Sequence, residues 1–203
     1  MIKITENIGE LKKEIDKLNR DIAIDEILII DLPFIDGQKD FTVINIPSYN
    51  AETNNNLIFV CGEKVLVFTP VRTRKLEEKF EKLLNKKNGE STVSIFMLLK
   101  SILKNYSVEF LRIREIMNNL ELDPVLDSIE DAARHLRKLT DRMEALIQII
   151  IELKEEDIRC FDVSLVNFEY DLLSTESRYW LERCRSHTYR INNIYAWKGN
   201  LAK

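Results

Sequence analysis

Apolar residues recur at Phe96, Leu99, Leu103, Tyr106, Phe110, Ile113, Met117 and Leu120 in alternating steps of three and four, and residues 92–120 contain no Gly or Pro. This is the seam of one long amphipathic helix, and the rest of the chain is organised around it. The same alternation returns at Leu136, Leu139, Met143, Leu146, Ile150 and Leu153. Two seams of that length are expected to lie side by side. Between them Leu122-Asp123-Pro124 reverses the chain, because proline disfavours helix in the residue before it yet opens a new helix readily. The pattern therefore predicts an antiparallel helical hairpin.

Upstream, Ile8, Leu11, Ile15 and Leu18 follow Thr5, which predicts an amphipathic helix with Thr5 as its N-cap. Residues 21–32 are apolar around Asp25 and Glu26, and their periodicity fits a helix turning into a strand or a strand throughout. Pro33 ends this segment and Asp36-Gly37 predicts a turn into a strand over residues 41–46. The polar run from Ser48 to Asn56 reads as a loop. Two continuously apolar runs, residues 57–60 and 65–68, flank a Gly-containing turn and predict a buried β-hairpin closed by Pro70. A helix is expected from Thr73, with Leu76, Phe80, Leu83 and Leu84 on its apolar side, ending at Asn88-Gly89; Ser91 or Thr92 then caps the long helix. After the hairpin helix ends near Asp157, a last helical region runs from about Cys160 to Leu201, where Ser174-Thr175-Glu176 offers a cap for a fresh start. Its later stripe, Trp180, Cys184, His187, Ile191 and Ile194, mixes polar with apolar residues and reads as a face turned to a neighbouring subunit rather than a core.

The expected fold class is α+β: a small, mainly antiparallel sheet with helices in residues 1–90, the helical hairpin in residues 91–158, and a long C-terminal helix in residues 159–203. Only five glycines and four prolines occur in 203 residues, which favours long helices over many turns. Charged residues are interspersed and the net charge is -4, so there is no electrostatic footprint for nucleic acid or an anionic membrane surface. No apolar run approaches the roughly 18 residues of a membrane span, and no signal peptide opens the sequence. The three cysteines, Cys61, Cys160 and Cys184, have neither disulfide-framework nor metal-ligand spacing and fit a reducing compartment. His135 reads as a surface residue, and neither it nor His187 has the companions of a zinc site. There is no Gly-rich phosphate loop and no nucleophile elbow, so the chain reads as non-enzymatic.

The strand pair at residues 57–68, the run Ser94-Ile-Phe-Met-Leu-Leu-Lys-Ser-Ile-Leu-Lys-Asn-Tyr106, the following Ile113-Arg-Glu-Ile-Met-Asn-Asn-Leu-Glu121, and Tyr179-Trp-Leu-Glu182 with His187-Thr188 together resemble the cytoplasmic domain of CorA-type magnesium and divalent-cation transporters. The resemblance implies a stalk helix continuing into a membrane segment after Lys203, five copies around a central pore, and a position on the cytoplasmic face of the membrane. That family's Gly-Met-Asn tripeptide is absent. The resemblance also implies a regulatory site for magnesium or another divalent cation between neighbouring domains, with Asp25 and Glu26 as its carboxylates. Oxygen ligands suit such a hard cation. Other carboxylates of the pattern are missing, because Lys100, Lys104 and Ser186 stand where Asp is common. The alternative is a free-standing helical interaction protein that uses its hairpin or C-terminal helix to bind a partner or itself.

Overall fold

The computed structural model describes residues 2–18, 22–38, 40–49, 55–62, 65–69, 89–123, 125–155 and 161–201. The expected helix from Thr73, its stop at Asn88, and Pro70, Pro124, Asp157 and Cys160 lie outside the described residues. The elements run β1 (Ile2–Thr5), α1 (Ile8–Asp16), α2 (Ile24–Ile29), β2 (Phe34–Gly37), β3 (Thr42–Ser48), β4 (Asn55–Cys61), β5 (Val65–Phe68), α3 (Glu90–Leu122), α4 (Leu126–Glu155), a 3-10 turn (Val163–Val166) and α5 (Asn167–Leu201). This is an α+β fold.

The strands form one sheet in the order β1-β5-β4-β3-β2. The expected hairpin is present, with Phe59 opposite Val67 and Val60 opposite Leu66. β1 joins parallel to β5, with Ile4 opposite Val67, a pairing the local pattern did not announce. Side chains alternate between two covered faces. Val43, Ile58, Val60, Leu66 and Phe68 meet Leu11, Ile15 and Ile24 of the first two helices. Ile44, Ile46, Leu57, Phe59, Val65 and Val67 turn the other way, into the large core built with α3, α4 and α5. Because both faces are buried, the strands read as unbroken apolar runs rather than alternating ones.

Several local expectations are corrected. Thr5 belongs to β1, and the cap of α1 is Asn7, whose Oδ1 accepts from the backbone of Gly9 at 2.8 Å. Asp36-Gly37 ends strand β2 instead of turning; the turn follows it, with Gln38 N donating to Phe41 O at 2.8 Å. Ser48, Asn55 and Asn56 are in strands, where β3 and β4 pair as far as Ser48 opposite Asn55. Asn56 is fully buried: its Nδ2 lies within hydrogen-bonding distance of the carbonyls of Ile27, Leu28 and Ile30, so a residue with a loop signature holds down the end of α2. Neither Ser91 nor Thr92 caps α3. Gly89 precedes the helix at φ 143, a conformation a side chain resists, and a Cβ there would lie 2.7 Å from Leu165 Cδ1. Thr92 Oγ1 instead accepts from Asp162 N at 2.8 Å, tying the start of α3 to the turn before α5.

The helical hairpin is present, with α3 of 33 residues and α4 of 30. Tyr170 of α5 donates to Ile150 O of α4 at 2.7 Å, and Arg185 reaches Glu144 at 2.9 Å, so α5 runs antiparallel to α4. α5 is one uninterrupted helix of 35 residues; no break occurs at Ser174-Thr175-Glu176. Thr175 Oγ1 and Ser177 Oγ each bond the carbonyl four residues back, which satisfies their hydroxyls without a cap. Leu103 and Leu146 are buried in the shared seam. Each truncation to alanine is expected to cost about 2–5 kcal/mol in urea unfolding, and values under about 1 kcal/mol for both would show that the seams do not carry the core.

Candidate functional site

Asp25 and Glu26 fall in the first turn of α2, a helix of only six residues. Consecutive helical residues point about 100° apart, and the two carboxylates separate accordingly. Asp25 takes both its oxygens to Lys12 Nζ of α1, at 2.7 Å each. Glu26 lines an open cleft of about 610 Å³ between α2 and the β2 edge, together with Asp36, Gln38, Phe34 and Phe41. The structure thus does not aim Asp25 and Glu26 at one point, and among the described residues no group of three or more His, Cys, Asp or Glu converges. Asp36 is engaged by Gln38 Nε2 at 3.0 Å. On their own these residues do not make the oxygen cage a magnesium ion needs.

The most constrained polar centre is one that the sequence pattern concealed. Arg142 of α4 is fully buried, yet every direction it faces holds an acceptor or a ring. Its guanidinium donates to Ser48 O at the end of β3 at 3.0 Å, to the backbone and carboxylate of Asp31, and lies 5.3 Å over the Tyr49 ring. Lys138, one turn earlier, holds the other oxygen of Asp31 at 2.7 Å. Burial alone would push the Asp31 carboxyl up, but hydrogen bonds from Lys138 and Arg142 and their charges outweigh it and hold it below the usual carboxylate range. Beside it, Asn105 accepts from Tyr49 N at 2.7 Å and donates to Tyr49 O at 3.2 Å, extending the strand's backbone pairing onto α3. Arg142 sits beside Leu139 and Met143 in the seam of α4, and nothing in the periodicity distinguishes it from a solvated charge.

α5 corrects the expectation about its mixed stripe. Cys184, His187, Ile191 and Ile194 are buried within their own chain, and the half-buried Trp180 packs on Phe110 at 5.6 Å between ring centroids. His187 meets the Phe110 ring edge-on at 4.9 Å, and its Nδ1 lies 3.0 Å from Arg183 O. Burial lowers its basicity, so it favours the neutral form. Burial likewise pushes the Cys184 thiol up to about 12, which leaves it inert at neutral pH. Near the tip of the hairpin, Arg190 clasps Glu121 and bonds Asn118 at 2.9 Å, so α5 runs parallel to α3. His135 is half-buried, while Lys100, Lys104 and Ser186 are exposed.

No protein-family model matches the sequence, and no curated protein matches it. Solved structures do. The ZntB cytoplasmic domain of Vibrio parahaemolyticus superposes with a TM-score of 0.74 at 11% identity, covering 99% of this chain and 87% of that one. The complete CorA magnesium transporter of Methanocaldococcus jannaschii superposes at 0.68 with 14% identity over 99% of this chain and 69% of that one, and full-length CmaX at 0.65 with 13% identity over 93% and 60%. The chain has the fold of a CorA-type cytoplasmic domain. That CorA-type fold spans the sheet, the hairpin and α5 together, and no helix among the described residues is long and apolar enough to cross a membrane.

Within this fold the Asp31 contacts predict an acid sensitivity. Because the folded pKa is depressed, the stabilisation is present above the unfolded value of about 4 and is lost as pH falls through the lower folded value. Asp31→Asn should lower stability at pH 7 by about 1 kcal/mol or more and flatten the pH dependence below about pH 4, measured by urea melts across pH. Parallel pH curves for the parent and the variant would rule out Asp31 as the source.

Proposed function

We propose that the chain is the regulatory and stalk domain of a CorA-like transporter or channel for magnesium or another divalent cation, placed at the cytoplasmic face of the membrane. The observation that carries this reading is the coverage of the likeness: sheet, hairpin and α5 superpose as a unit on soluble domains of proteins named for CorA and ZntB, over 96% of this chain for the M. jannaschii CorA soluble domain and 99% for the ZntB domain. A homo-oligomer belongs to the same proposal, five copies by the resemblance, with α5 as the stalk and the membrane reached through sequence beyond Lys203. The reading assigns no catalysis and no nucleic-acid partner to the chain. Its test is twofold. The reading frame past Lys203 should hold about 20 consecutive apolar residues, and antibodies to the domain should find it in the salt-washed membrane fraction of its source cells. A polar continuation with recovery only from the soluble fraction would overturn the reading in favour of a free-standing interaction protein, which the exposed apolar residues of α5 also suit.

For metal, we propose that Asp25 and Glu26 contribute to a divalent-cation site only with oxygens from a neighbouring subunit. Lys12 competes for Asp25, and Glu26 points into a different cleft. Titration calorimetry of the single chain with magnesium, cobalt and nickel should therefore give weak binding, reduced by Asp25→Ala or Glu26→Ala. Tight binding unaffected by either substitution would show that the cation sits elsewhere.

A further inference from the structure

Two exposed surfaces of the chain have complementary chemistry. On α3, Ser101, Lys104, Val108 and Leu111 follow the three-and-four spacing of a helix seam on the side turned away from the core; all four are exposed, Val108 and Leu111 at 53% and 38%. Lys100 stands one turn before Lys104. This face is therefore basic toward the start of the helix and apolar from the next turn on. The cleft of about 610 Å³ between α2 and the β2 edge has the matching order. Glu26 and Asp36 bring carboxylates to it, and Ile30, one turn after Glu26 and 40% exposed, lines it with Phe34 and Phe41. Among the described residues Glu26 has no cation, Asp36 is met only by the neutral amide of Gln38, and Lys100 and Lys104 have no acid.

Within one copy the two surfaces cannot meet. α2 covers the sheet face of Val43 and Ile58, whereas α3 lies on the opposite face, where Tyr106 reaches Pro47. The sheet stands between them. We propose that they meet between copies: the acidic cleft of one chain receives Lys100 and Lys104 from α3 of its neighbour, and Val108 of that neighbour covers Ile30. The spacing agrees, since Lys104 and Val108 are one turn apart on α3, as Glu26 and Ile30 are beside the cleft. Cleft against cleft would gather four carboxylates, and α3 against α3 would gather four lysines, so charge selects the unlike pairing. A contact between two different surfaces is head-to-tail, and head-to-tail contacts generate a ring when the rotation between neighbours closes. The proposal rests on the transporter reading, in which copies stand parallel around an axis, and deepens it by naming the residues that join neighbours. It also bears on metal: a divalent ion gains Glu26 only by displacing the neighbour's ammonium, so the two cations exclude each other at that carboxylate.

Cross-linking tests the pairing without removing any of its charges. Ala23→Cys lies at the mouth of the cleft and Ser101→Cys beside the lysines, and both positions are exposed. The two variants are co-expressed under different tags, each in the chain as its gene encodes it, and treated with a short bis-maleimide linker. The linker should join unlike copies in preference to like ones, and a chain carrying both cysteines should give a ladder of products. The parent chain controls for its own thiols. Lys100→Glu with Lys104→Glu should cut the mixed product about tenfold, and adding Glu26→Lys with Asp36→Lys to the same chain should restore it. No mixed product, like-with-like products at both positions, or a fourfold reversal no better than the lysine reversal would overturn the contact. The cells are fractionated first. Recovery from the membrane or the soluble fraction decides the transporter reading, and the linker, applied to whichever fraction holds the chain, decides the contact, so the two fail separately.

Discussion

A guanidinium sealed from water must find its acceptors inside the protein, and the position of Arg142 makes that requirement the junction of the whole fold. Its partners come from two separate parts of the chain: Asp31 in the segment between α2 and β2, and Ser48 with the adjoining Tyr49 ring at the end of β3. The charge therefore fixes how the sheet, the α2 side and the long helices sit relative to one another, which apolar contacts alone leave adjustable. Replacing a buried ion pair with apolar residues is often neutral for stability, whereas removing one partner is costly. Lys138 softens that cost by sharing Asp31.

Around this junction, the rest follows from having apolar surface on two sides of a five-stranded sheet. The short helices α1 and α2 close one face and the long helices close the other. Asn45 and Asn56 sit on the first face fully buried, and their amide nitrogens take up carbonyls left free where α2 ends and beyond it, at Ile27, Leu28, Ile30 and Leu32. Side-chain amides there replace the capping that a six-residue helix without a following glycine would otherwise lack. Tyr106 does the corresponding task on the opposite face, donating to Pro47 O at 2.6 Å from the middle of the long helix.

The long helices and the β4–β5 hairpin were legible in the sequence because their signals are local: three-and-four spacing in one case, two apolar runs about a glycine in the other. The parts that were not legible depend on distant partners. Ile2–Thr5 reads as the lead-in to a helix until β5 is known to lie beside it. Asn55 and Asn56 have loop chemistry, and only the pairing with Pro47 and Ser48 makes them strand. On α5 the polar Cys184 and His187 suggested a wet interface, but Phe110 offers His187 an aromatic edge contact and Cys184 fills space as a small apolar group. For the candidate metal residues, the resemblance pointed to two carboxylates adjacent in sequence. Sequence adjacency on a helix could not show that Lys12 draws one aside and that the other lines a separate cleft.

The parallel pairing of β1 with β5 also has a consequence for how the chain reaches this state. Residues 2–5 can complete the edge of the sheet only after residues 65–68 have been made and folded back, so β1 waits on a segment more than sixty residues later. Non-local pairings of that kind slow folding, while the α3–α4 hairpin, built from contacts between neighbours in sequence, has no such delay. On a ribosome β1 emerges well before β5 and docks late, and until it docks the edge of β5 remains open to any other strand that passes.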